Sequence, residues 1–226
     1  ISNNDIRLFD KISATKKVAI SHSIQSIEKF IRKGQLFAYI NHKPLIALLS
    51  DYHRRNRNYL LKMFGSFKID WAVDQIFLDS PINNNINNKQ AIFTSYKDRN
   101  LKLLINIWKE KIYTKDNSLR LLITPINDNY SRFNITNRKF EDKSNLISDI
   151  SSSRVFLVPG HKAELYCIAA EEARELCVPI ITLGIGCLNE RVEHEKTGLI
   201  AKNNDEFANY TLQLFNNDTI WQNIKK

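Results

Sequence analysis

The sequence predicts an α/β fold in which parallel sheet is covered by helices, and three observations carry that reading. Short apolar runs alternate with longer amphipathic stretches along the whole chain, the rhythm of βαβ units. Composition is that of a folded globular protein, 43% hydrophobic and 25% charged, which excludes disordered, collagenous and disulfide-scaffold classes. No apolar run approaches the roughly 18 residues of a membrane helix, and the longest, near residues 45–49 and 178–183, suit buried strands.

Taken in order, an apolar strand is expected at 18–21, a helix at 24–33, a strand at 45–49, a helix at 54–64 and a strand at 75–78. A polar stretch at 81–90, Pro-Ile-Asn-Asn-Asn-Ile-Asn-Asn-Lys-Gln, has almost nothing to bury and reads as a linker. The rhythm then resumes with a strand at 91–94, a helix at 101–111 with leucines at helical spacing, a strand at 119–124, and a polar loop to about residue 138. A helix at 145–150, a strand at 154–158, a helix at 168–176 and a strand at 179–182 follow, and helices at 188–194, 206–215 and 220–224 end the chain. The first part, residues 1–80, holds about three strands, too few for a self-standing doubly wound sheet, and reads as the latter part of a truncated domain. Residues 91–226 suffice for a nearly complete Rossmann-like domain. The chain opens on Ile1 with no charged-then-apolar leader, so no signal peptide is expected and the start resembles a cut through a longer protein.

The balance of 33 basic and 24 acidic residues leaves a net charge of +9. That surplus suits an anionic partner, such as nucleic acid, a phosphorylated ligand or an acidic membrane surface. Heavy use of Asn, Ile and Lys equally fits the codon bias of an AT-rich genome, which inflates Lys without any binding pressure. The cations are scattered and the aromatics occupy core-like positions, which argues against a nucleic-acid-binding module. Cys167, Cys177 and Cys187 are ten residues apart, match no metal-ligand spacing, and fit a reducing cytoplasm.

Residues 155–200 carry the chemistry. A strand ends in Pro159; Glu164 and Glu172 follow with seven residues between them, and Glu172-Ala173 lies in a helix. Then come Val178-Pro179-Ile180-Ile181, the pair Gly184 and Gly186, Glu190, and Lys196-Thr197-Gly198-Leu199-Ile200. Glu164 is placed in the loop after a strand and Glu172 about one turn into the next helix, so both face the crevice where doubly wound sheets bind ligands. Carboxylates there accept hydrogen bonds from sugar and ribose hydroxyls, and the amides of Leu165, Tyr166, Cys167 and Ile168 open a helix whose N-terminus favours anions. The competing reading makes both glutamates solvated helix-face charges, alongside Glu171 and Glu175.

This ordered set resembles the nucleotide-sugar-binding half of retaining glycosyltransferases of the GT-B fold, family 4 (group 1) in particular. The resemblance implies two Rossmann-like domains, metal-independent transfer from a nucleotide sugar, no other cofactor, and a saccharide or lipid-linked acceptor of a bacterial envelope. It implies a cytoplasmic protein with peripheral contact at the inner face of the membrane. It places Glu164 against the transferred sugar, Glu172 on the ribose, and Gly186 and the amides of residues 165–168 on the donor. In related enzymes the loop after the strand at 91–94 supplies two cations to the donor diphosphate. Arg99 takes one place; Ser95 stands where the partner arginine often is, so Lys97 is the substitute candidate. His22, closing the strand at 18–21, falls where family members carry a His facing the sugar; a His bonded within its own turn is the alternative. The chain departs from the family at Leu165-Tyr166-Cys167, where Gly-rich sequence is usual, and at Cys177. Cys167 reads as a packing residue rather than a nucleophile. The basic run from His53 to Arg57 reads as a solvated helix face, or as a contact for an anionic acceptor. A nucleotide-sugar epimerase of the same fold is the rival enzyme, although such enzymes generally lack this pair of glutamates.

Overall fold

The computed structural model describes residues 2–3, 6–24, 26–82, 87–139 and 142–225. The chain divides into two compact units, Ile1–Trp71 and Ala72–Lys226.

In the first unit, strand β1 (Ser2–Asn3) and a 3-10 helix (Ile6–Lys11) precede β2 (Val18–Ile20), helices α1 (Ile27–Arg32) and α2 (Gln35–His42), then β3 (Leu45–Leu48). Helices α3 (Asp51–Asn56) and α4 (Tyr59–Lys62) lead to β4 (Ser66–Lys68). The strands form a parallel sheet in the order β1-β2-β3-β4. Ile6, Phe9, Ala19, Tyr39, Ile46, Leu48 and Leu61 make its core. The helix expected at 54–64 is two helices. Ser50 caps the first, its hydroxyl accepting from the His53 amide at 3.0 Å, and Asn58 caps the second by accepting from Leu61 at 3.0 Å. A side chain that bonds the amide three residues on starts a new helix rather than continuing an old one.

In the second unit the strand expected at 75–78 is instead helix α5 (Gln75–Leu78). Asp74 caps it, accepting from the Ile76 amide at 3.2 Å, and of the run Ile76-Phe77-Leu78 only Phe77 is buried. A three-residue apolar run carries no decisive period, and the cap settles it. Strand β5 (Gln90–Phe93) is followed by α6 (Leu101–Ile107), which runs on into a π-helical turn (Trp108–Ile112). Then come β6 (Arg120–Ile123), β7 (Ile135–Asn137), α7 (Lys143–Ser151), β8 (Val155–Leu157), α8 (Ile168–Glu175) and β9 (Ile180–Thr182). The unit closes with α9 (Leu188–Arg191), β10 (Gly198–Ile200), α10 (Asn204–Asn216) and α11 (Asp218–Lys225). The division at Trp71 lies ahead of the expected linker, because α5 packs on α7 and α8. Of that linker, residues 83–86 lie outside the described residues, and Gln90 already pairs in β5.

The second sheet is parallel throughout, in the order β10-β9-β8-β5-β6-β7. Its central strands read Ala-Ile-Phe, Val-Phe-Leu and Ile-Ile-Thr, all buried, as a sheet covered on both faces requires. Arg154, just before β8, ties the last two helices to the sheet. Its Nε donates to the Leu214 carbonyl at 2.6 Å, its carbonyl accepts from Trp221 Nε1 at 2.8 Å, and its guanidinium pairs with Asp218 and stacks on Trp221. Sequence reading passed over β1, β4, α2, β7 and β10. Four of these five are strands of two or three residues, too short for any alternation to register.

Candidate active site

The strand order reverses between β5 and β8. The chain leaves β5 in one direction through β6 and β7, and leaves β8 in the other through β9 and β10. The loops after these two neighbours splay apart, opening a crevice at their carboxyl ends where an open α/β sheet takes its ligand. The loop after β5 carries Arg99 and the loop after β8 carries Glu164. Arg99 Nε stands 3.2 Å from Glu164 Oε2, and both side chains are partly shielded, at 30% and 12% exposure.

Local geometry explains how each side chain is aimed. Asn100, immediately before α6, holds a left-handed φ of 64° and donates from Nδ2 to the Gly160 carbonyl at 2.5 Å, tying the Arg99 loop to the Glu164 loop. Asn tolerates that conformation because its short polar chain finds local partners. The Cys167 amide donates to the Glu164 carboxylate, so one of the helix-opening amides is directed inward at the glutamate. Burial pushes the Glu164 carboxyl up from its ordinary value, while the Arg99 guanidinium, the Cys167 amide and His161 hold it down. His161 in turn accepts the Ala163 amide on Nδ1 at 3.0 Å.

Gly186 lies against the back of this loop with φ 79°. A Cβ there would fall 2.4 Å from the His161 carbonyl and 2.8 Å from that of Glu164, both backbone atoms that cannot swing away. The neighbouring Cys187 amide donates to the same Glu164 carbonyl at 3.1 Å. Gly186→Ala is therefore expected to destabilise the second unit by about 2–4 kcal/mol through combined overpacking and left-handed strain, lowering Tm by roughly 5–15 °C in a thermal melt.

Glu172, in the second turn of α8, belongs to a different charge group. Burial raises its pKa to about 7, opposed by Lys143 at the start of α7 and by Arg138 just after β7, and reinforced by Asp74. Lys143 pairs with Asp74, and Arg138 Nη2 lies 3.0 Å from Asp149. Glu172 thus has two cations within electrostatic reach and a shielded carboxylate.

The remaining predicted residues distribute as follows. Leu165, Tyr166 and Cys167 are buried, with Ile168 half-buried at the first turn of α8. Cys167 adopts φ 60°, and burial pushes its thiol well above the ordinary range, as expected of a packing residue. Lys97 is exposed and lines a cavity of about 420 Å³ together with Asp98, Leu101, Ile105 and Tyr130. Ser95 is buried. His22 lies in the first unit, half-buried, its ring 5.3 Å from that of Trp71.

Two expectations fail. His53, read as part of a solvated basic face, is 1% exposed. The Leu49 amide donates to its Nδ1 at 3.4 Å, Nε2 faces Ser21 Oγ at 3.3 Å, and burial lowers its pKa to about 4, so it is a neutral core histidine. Glu171, grouped with solvated helix charges, is 2% exposed and paired with Arg174 and Arg191. Sequence reading also passed over Asn100, His161 and Arg191. Only Asn100 left a signal, as a residue tolerant of positive φ directly before a helix. Among the described residues no group of three His, Cys, Asp or Glu side chains is placed to hold a metal ion.

Comparison with known proteins bears on the fold that carries these residues. Residues 134–226 match the sequence model of the family Glycosyl transferases group 1. Among solved structures, a point mutant of S. aureus TarM in complex with Fondaparinux, alpha-GlcNAc-glycerol and UDP is similar with a TM-score of 0.72 at 17% identity, over 93% of this chain and 46% of that one. Sucrose-phosphate synthase from Thermosynechococcus elongatus gives 0.71 at 14% identity, over 97% of this chain and 63% of that one. Anabaena HepE in complex with UDP and glucose gives 0.70 at 14% identity, over 93% and 65%. The chain spans about half the length of the TarM chain it matches. No curated protein matches the sequence. Residues 134–226 are thus similar to the Glycosyl transferases group 1 family, in a chain whose fold is that of the GT-B glycosyltransferases.

Proposed function

We propose that this chain binds a nucleotide-sugar donor and belongs to a retaining glycosyltransferase that passes the sugar to a saccharide or lipid-linked acceptor of a bacterial envelope. The observation that carries the reading is the Arg99–Glu164 pair, brought together from two neighbouring loops at the point where the sheet order reverses. In this role Arg99 meets the donor diphosphate and stabilises the charge that grows on the departing nucleoside diphosphate. Glu164 accepts hydroxyls of the transferred sugar, and Glu172 accepts those of the ribose. Amides at the start of α8 add their dipoles toward the phosphates. Lys97 supplies a second cation to the diphosphate. His22, in the first unit, which this proposal reads as acceptor-side, hydrogen-bonds the sugar or orients the acceptor.

Support comes from the family match over residues 134–226 and from neighbours of the same fold solved with UDP, or with UDP and glucose. No helix among the described residues is long and apolar enough to cross a membrane. The proposal places the meeting with a lipid-linked acceptor at the inner face of the membrane.

The test is calorimetric titration of the chain with UDP, GDP and ADP and the matching sugar nucleotides, followed by transfer assays on the parent protein. Binding of one nucleoside diphosphate with Kd below about 1 mM, weakened by Glu172→Ala, is the expected result. No binding of any of them, together with an unaffected parent enzyme carrying Glu172→Ala, would sink the reading. Interconversion of free sugar nucleotides without acceptor would replace transfer by epimerisation.

A further inference from the structure

The loop that presents Glu164 is held from behind at two places. At one end, Gly186 and the Cys187 amide seat the Glu164 carbonyl. At the other, Tyr166 lies between Glu164 and the first turn of α8, and the Arg191 guanidinium sits 4.3 Å from the centre of its ring. Arg191 is the last residue of α9, only five positions beyond Gly186, so one short crossover segment supplies both supports. From the same position Arg191 Nη1 reaches Glu171 Oε1 at 3.3 Å, and Glu171 is also paired with Arg174.

These groups are shielded from water. Tyr166 is 5% exposed, Glu171 2%, and the Arg191 side chain 9%. A guanidinium stacked on an aromatic face while paired to a buried carboxylate has a fixed plane and a fixed height, which an ammonium on a flexible stem does not supply. Burying charges of both signs is expensive in stability and is often no better than apolar packing. Its yield here is geometric: α8 is joined through Glu171 to the loop through Tyr166, with Arg191 as the common member.

We infer that Arg191 is a positioning residue which, through its stacking on Tyr166 and its pairing with Glu171, fixes the amides of Leu165, Tyr166 and Ile168 for the distal phosphate of the donor. This deepens the proposed function and rests on it. Arg191 acts on the loop and not on the ligand, so its loss falls on the part of the ligand that the loop meets. A nucleoside monophosphate lacks the distal phosphate, and the ratio of Kd for UMP to Kd for UDP isolates that contribution.

The experiment is calorimetric titration of the 226-residue chain with UDP and with UMP, for wild type, Arg191→Leu and Arg191→Lys, each checked by circular dichroism and thermal melting. Wild type is expected to prefer UDP, and Arg191→Leu to reduce that preference about tenfold by weakening UDP and leaving UMP nearly unchanged. Arg191→Lys retains the charge opposite Glu171 but not the flat stack, and is expected to recover about a third of the loss. Should Arg191→Leu fail to fold, the double variant Glu171→Leu/Arg191→Leu removes both buried charges together and is measured with the same expectation. A folded variant with the wild-type ratio overturns the inference, as does an equal loss for UMP and UDP, the mark of a merely structural role. Where wild type prefers GDP or ADP, that diphosphate and its monophosphate replace UDP and UMP, and failure to bind any of the three diphosphates counts against the proposed function itself, a result distinct from both.

Discussion

Glu172→Gln is expected to stabilise the second unit at pH 8 while weakening its hold on a nucleoside diphosphate about tenfold. The carboxylate is buried enough for its pKa to climb to about 7, despite Lys143 and Arg138 nearby. An acid whose folded pKa exceeds its unfolded one contributes stability that is complete below the unfolded value near 4.5, and that contribution is lost as pH rises through about 7. At pH 8 wild type therefore lacks a stabilisation on the order of 2–3 kcal/mol that it has at pH 4, whereas Gln never acquires a charge to bury. The expected melt at pH 8 shows the variant about 5–10 °C above wild type, with the gap closing by pH 4.5. Binding runs the other way, because a carboxylate accepts hydroxyl hydrogen bonds more strongly than an amide oxygen. Wild-type affinity should decline as pH falls through about 7, and the variant should be flat across that range. Equal melting temperatures at pH 8 would show that the side chain is solvated when charged.

Arg99→Met is expected to weaken nucleoside diphosphate binding about 10- to 100-fold, the loss of one or two charge-assisted hydrogen bonds at roughly 1.5–3 kcal/mol. In the unliganded chain the guanidinium stands 3.2 Å from Glu164, so the same substitution leaves that carboxylate with the Cys167 amide and His161 against the cost of burial. Its pKa should rise further. Titration at 50 and 300 mM salt distinguishes this role from a bystander cation. Wild-type affinity should fall with salt, and Arg99→Met should show a shallower slope because one ionic contact is gone. Arg99→Lys is expected to restore charge but not the two-pronged geometry, giving an intermediate affinity. An unchanged affinity in Arg99→Met would remove the residue from the site, whereas a loss of the same size in Lys97→Met would extend the clamp to a second cation.

Much of the second unit was legible because its elements are long or strongly patterned. The buried runs of β5, β8 and β9 and the helically spaced leucines of α6 speak without context, and α8 begins where the Glu164 loop ends. The first unit was read less well, since its decisive signals are single caps: Ser50 and Asn58 split one expected helix in two, and just beyond it Asp74 turns an expected strand into α5. For the site, residue types at set spacing gave Glu164, Glu172 and Arg99, while partnerships across the chain stayed invisible. Nothing in the sequence joins Glu171 to Arg191, or Asn100 to Gly160, because those pairs lie 20 and 60 positions apart and meet only when neighbouring crossovers are folded. The same blindness explains His53. A run of basic residues on a helix reads as solvated until the end of β3 meets one of them with a backbone amide and Ser21 meets it from the neighbouring strand.

The three thiols supply a clock for the site. Cys167 and Cys187 flank the Glu164 loop, both buried, the latter with its thiol pushed up to about 12. Alkylating reagents need a thiolate and a path, and the native fold withholds both, so modification waits for the loop to open. Cys177, half-buried at the far end of α8, serves as the internal reference in the same molecule. Labelling rates compared between these positions, with and without nucleotide, convert the seating of one loop into a measurable opening frequency. A ligand that locks the loop would slow Cys167 and Cys187 together and leave Cys177 on its own schedule.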